Sequence, residues 1–171
     1  MRSFACIASL FLVAEASSSW AFEQAFEPPP FVVSVPQIPD FRVTNIPNRS
    51  NALSVHALGR NEIFAAEVTA APSPQAGSTR TCAGMFLRDL VKRPNMPDRD
   101  SIYRAPFDAS TFLVLYILEQ RGKKELHAHL LSSAGGTHCV DAHFSRDMAV
   151  GEDEDKWRTT FTGARIREGS K

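Results

Sequence analysis

The most decodable pattern in the chain runs over residues 112–144. It opens on Phe112-Leu113-Val114-Leu115-Tyr116-Ile117-Leu118, an unbroken apolar run rich in β-branched and aromatic residues, closed by Arg121-Gly122-Lys123-Lys124. A strand with two apolar faces is a central one, covered on both sides; a buried helical segment is the competing reading of so short a run. Two alternating runs follow, 126–130 and 139–144, around Ser133-Ala134-Gly135-Gly136-Thr137. Glycine takes up positive φ at little cost, so the glycine pair predicts a hairpin.

The parity of that hairpin loop decides the chemistry. With a three-residue loop Ala134-Gly135-Gly136, Ser133 pairs with Thr137, His127 lies opposite His143, and His129 lies opposite Asp141. One face then carries Leu126, Ala128, Leu130, Val140, Ala142 and Phe144, and the other His127, His129, Leu131, Cys139, Asp141 and His143. A two-residue Gly135-Gly136 loop mixes histidines and aliphatics on both faces. A slip of one residue exchanges all side chains between faces, so the clean segregation favours the odd loop. A Gly122-Lys123 turn at the other end would align Leu113, Leu115 and Ile117 with the apolar face and set Tyr116 beside His129.

Other periodicities fill in the rest. Residues 52–58 and 62–69 flank Gly59-Arg60-Asn61 and predict a first hairpin. Met85, Phe86, Leu87, Leu90 and Val91 form one helical stripe, with Arg88, Asp89, Lys92 and Arg93 mostly opposite. This predicts a short helix near 81–92, capped by Ser78, Thr79 or Thr81 and stopped by Pro94. Residues 157–167 read as a closing strand. The prolines of 22–51 lack a ladder donor and block helix, which predicts an extended arm, part of it mobile, with at most an edge strand. The expected fold is mainly β, an antiparallel sheet or small sandwich with that one short helix, in a single domain over 52–171; α+β is the alternative.

Composition adds a compartment. Met1-Arg2, the apolar run 4–14 and the small residues after it have the form of a secretory signal peptide over 1–21, cleaved after Ala16 or Ala21. Its apolar core is shorter than the roughly 20 residues a spanning helix needs, and no second candidate follows, so no membrane span is expected after processing. Export to a secreted or periplasmic location removes Cys6 and leaves Cys82 and Cys139, an even pair for which a disulfide is the default. With 19 basic and 19 acidic residues the chain is neutral, which gives no electrostatic reason to bind nucleic acid or an anionic membrane.

The sharpest chemical reading concerns the polar hairpin face. Two histidines two apart on a strand project to one side about 7 Å apart, a span one metal ion can bridge. His127, His129, Asp141 and His143 together would offer three nitrogens and one oxygen, suited to zinc or copper. The plainer reading is a polar sheet face whose histidines are hydrogen-bonded or solvated, and a pH-responsive surface is the third. No nucleophile elbow, phosphate-cradling loop or free thiol accompanies them, so no catalytic or cofactor-binding residue is assigned. The expected function is non-catalytic binding to a protein or cell-surface ligand. The alternatives are metal handling on those four residues, or an inhibitor or immunity-type role against a secreted enzyme.

Overall fold

The computed structural model describes residues 22–26, 29–38, 42–45, 55–60, 64–153 and 155–169. The predicted signal peptide, residues 1–21, lies outside them. Among the described residues ten strands form two antiparallel sheets: β1 (Phe22–Phe26), β2 (Phe31–Val35), β3 (Arg42–Asn45), β4 (Val55–Arg60), β5 (Ala65–Pro72), β6 (Tyr103–Pro106), β7 (Phe112–Gln120), β8 (Lys123–Ala134), β9 (His138–Asp147) and β10 (Arg165–Glu168). The large sheet runs β3-β4-β5-β9-β8-β7-β6 and the small one β1-β2-β10. Helix α1 (Thr79–Leu90) packs across β7, β8 and β9, and a single-turn helix, α2 (Asp155–Thr160), precedes β10.

The two sheets enclose the main core. Phe22, Phe31, Val33, Val35 and Ile166 of the small sheet meet Leu113, Leu126, Leu130, Ala142 and Phe144 of the large one, with Trp157 and Phe161 closing the side. Phe144 anchors this layer through edge-on contacts with Phe22, centroids 5.8 Å apart, and Phe64, 6.5 Å. A second cluster, on the opposite face of the large sheet, joins Ala83 and Leu90 of α1 to Val114, Tyr116, Leu118 and Leu131, with Ile102 beside them. β7 feeds both clusters by alternation, as a strand covered on both faces must.

The first hairpin is present as β4 and β5, with Arg60 paired to Ala65. Helix α1 starts two residues before the predicted span because Ser78 caps it, its hydroxyl accepting from the Thr81 backbone N–H.

Two expectations change. The proline-dense segment is not simply an arm: β1 and β2 form a hairpin, and β2 is the middle strand of the small sheet, with Phe31, Val33 and Val35 buried. Its prolines flank the strands rather than interrupt them, so they remove no ladder donor. The predicted closing strand over 157–167 is α2 followed by β10. Trp157 and Phe161, four apart, both reach the core from a helical turn, and Gly163 at φ 84° reverses the chain into β10.

Candidate functional site

Both hairpins that build the site turn differently from expectation while keeping its parity. Ala134 pairs with His138, so the loop is Gly135-Gly136-Thr137, with φ of 58° and 66° at the glycines. The Cα register therefore slides by two residues: His129 faces His143, His127 faces Ser145, and Leu131 faces Asp141. A shift of two leaves each side chain on its face, so the segregation of apolar and polar positions stands. At the other end Gln120 pairs with Lys123 across Arg121-Gly122, both at positive φ (53° and 75°), as a tight mirror-image turn requires. Tyr116 is thus paired with His127 rather than His129.

Side chains lean diagonally across the ladder and restore the partnerships the sequence suggested. The His127 Nδ1 and His143 Nε2 atoms are 3.0 Å apart, and His129 Nδ1 donates to Asp141, 2.9 Å from Oδ1 and 3.1 Å from Oδ2. The Tyr116 hydroxyl lies 3.2 Å from His129 Nε2 and donates to it in the neutral ring. The rings stack as a ladder, His129 on His143 at 4.1 Å and His127 on Tyr116 at 5.1 Å. Phe86 of α1 covers His129 from above, centroids 4.5 Å apart.

These contacts form two short relays, each ending on a carboxylate. One runs from Tyr116 through His129 to Asp141. The second runs from His143 through His127 toward Glu125, whose Oε2 is 3.6 Å from His127 Nε2. That Nε2 is buried without a hydrogen-bond partner. Only one tautomer avoids setting its lone pair against the Glu125 carboxylate: His143 Nε2–H donates to His127 Nδ1, and the His127 Nε2–H points at Glu125.

Enclosure keeps the second relay neutral. Burial, reinforced by the neighbouring His129, holds His127 down to about 4. Burial, then His129, His127 and Arg93, holds His143 down to about 2. Burial also pushes the Tyr116 hydroxyl up to about 12. His127 and His143 therefore take up protons only in acid, and Tyr116 offers no phenolate at neutral pH.

The cover is fastened by the Cys82–Cys139 disulfide, Cα atoms 5.4 Å apart, which joins α1 to β9 on the histidine face itself. All four sequence-predicted site residues therefore come together, with His129 under Phe86 of the helix and Asp141 partly exposed. Among the described residues, no three or more His, Cys, Asp or Glu side chains form a group arranged to hold a metal ion. The sequence reading missed Phe86, Glu125 and Arg93. Phe86 had a usable signal: it is four residues from Cys82, whose predicted bond led to the histidine face.

No family model matches the chain, and no curated protein matches it. A 1.50 Å crystal structure of a protein from Bacteroides thetaiotaomicron aligns with a TM-score of 0.49 at 9% identity. The alignment covers 89% of this chain and 50% of that one, so the chain spans about half its length. No helix among the described residues is long and apolar enough to cross a membrane.

Proposed function

We propose that this chain acts by non-catalytic binding to a protein or surface ligand, with the histidine cluster pinning α1 to the sheet. The observation that carries this reading is the inward use of the cluster's polar atoms. His129 has a partner at each nitrogen, His127 and His143 hold each other, and Phe86 lies over the rings. A reaction site needs a donor or nucleophile aimed at a space a substrate can enter, and these groups are aimed at one another. The test is bait capture with the folded protein beside a variant carrying His127→Leu and His143→Leu. A partner retained by both supports the reading; a bound species lost with the histidines while the fold persists overturns it.

Metal handling is the second reading, favoured by the unpartnered His127 Nε2 and its distance from Glu125. An ion would have to replace the proton between His127 and His143 and draw Asp141 or Glu125 into its shell. Melting after chelation and after added zinc or copper separates the two, because a true site stabilises in proportion to ion excess. A rise in Tm that disappears in His127→Ala supports metal handling, and an unchanged Tm removes it.

A further inference from the structure

We propose that the groove between α1 and the segment 99–104 is a docking site for an acidic protein segment carrying one large apolar side chain. This rests on the binding reading above and gives it a surface. The groove encloses about 370 Å³. Leu87, Val91 and Ile102 form its apolar lining and Arg88, Arg99 and Arg104 its charged rim.

The arginines of that rim hold no ion pair. Arg146, Arg158, Arg165 and Arg167 each pair with a carboxylate at 2.7 to 3.3 Å. Among the described residues Arg88, Arg99 and Arg104 have no such partner. Asp89, beside Arg88, is taken by Lys92 at 3.4 Å, and Arg104 donates only to the Arg99 carbonyl, at 3.3 Å. Three guanidinium groups without ion pairs thus line one groove, with only Asp98 and Asp100 flanking Arg99 in sequence, and carboxylates arriving from outside gain charge-assisted hydrogen bonds there.

The apolar part of the groove selects among anions. Val91 is 48% exposed, one of two large hydrophobic residues so exposed among the described residues. A sulfated glycan or a phosphate would satisfy the arginines and leave Val91 and Leu87 wet. A peptide with a leucine- or phenylalanine-sized side chain among its carboxylates covers both.

Gly84 leaves room for that occupant. It also lines the groove, in the interior of α1, where glycine costs about 1 kcal/mol relative to alanine. A Cβ built there meets no atom within 4 Å. A ligand backbone can therefore approach the helix closely at this point.

The experiment is selection from a random peptide display library on the folded, disulfide-linked protein. Selected sequences should combine Asp or Glu with one large apolar residue, and their affinity should fall as salt rises. Reversing Arg88, Arg99 and Arg104 to glutamate should weaken the selected peptides by at least about tenfold. Gly84→Leu should do the same while keeping or raising Tm. Peptides that bind both variants as they bind the parent overturn the groove and leave the binding reading standing. Heparin displacing the peptides, with no dependence on their apolar residue, overturns it in favour of a glycan. No selected peptides, together with no partner in the bait capture, takes down both readings.

Discussion

On the inner face of the large sheet, Leu126, Ala128, Leu130, Ala142 and Phe144 are wholly buried against the small sheet. One residue along the same strands, His127, His129, Asp141 and His143 pair and stack with one another, and Phe86 of α1 lies over His129. Two strands thus build two interfaces of opposite character. The inner one is held by apolar area distributed over many side chains. The outer one has a smaller apolar cluster and depends on a covalent tie, a cap and a polar network. Area-driven packing is indifferent to pH and redox state, whereas the outer face is exposed to both.

The largest expected effect lies on the inner face. Phe144→Ala removes the ring that Phe22, Phe64 and Phe161 all touch, and should cost about 3 to 5 kcal/mol in denaturant unfolding, with both sheets lost together. A loss confined to α1 would break the comparison. Next, Cys82→Ser with Cys139→Ser releases a constraint spanning 57 residues, worth about 2 to 4 kcal/mol. Hydrogen exchange should then rise first in α1, while β2 and β8 stay protected.

Acid comes third and acts on the outer face. His127 at about 4 and His143 at about 2 both sit below the usual 6.5 of an unfolded chain. The unfolded chain therefore binds protons first. Stability is complete above about pH 7, has fallen by about 3 kcal/mol at pH 5.5 and goes on falling toward pH 4. Replacing His127 and His143 with leucine should flatten that decline, and an equally steep decline would place its origin elsewhere. The smallest effect is Tyr116→Phe, which removes the hydroxyl that meets His129 and should cost about 1 kcal/mol with no change of fold.

Much of this division was legible because alternation is a strict rule. Leu126 to Phe144 declared their faces through period two alone, and their clean segregation favoured an odd loop over a two-residue one. The exact pairing was not legible. Two placements of a three-residue loop preserve the same segregation, and only the backbone preference for Gly135 and Gly136 at the first two loop positions chose between them. The turn at Arg121 escaped for a related reason: an arginine at φ 53° is unfavourable locally and is imposed by the register of β7 on β8. Residues 22–35 were misread because proline density describes the loops around β1 and β2, whereas Phe22, Phe31 and Val33 decide where that hairpin lies. The helical character of 155–160 was hidden by the β-favouring residues Trp157, Thr159 and Thr160. The cover over the histidines was half legible, since the cysteine pairing pointed to it and nothing in the pattern gave its closeness.

Where α1 is fastened has a mechanical consequence. Its bond to β9 is at Cys82, near one end, and its most deeply buried side chain, Leu90, is at the other, eight residues and about 12 Å along the axis. The helix is hung like a door with a bolt at one edge and a hinge at the other. A reductant withdraws the bolt and lets the Cys82 end swing out while Leu90 stays seated, so the first step of opening should uncover the imidazoles before any sheet hydrogen bond breaks.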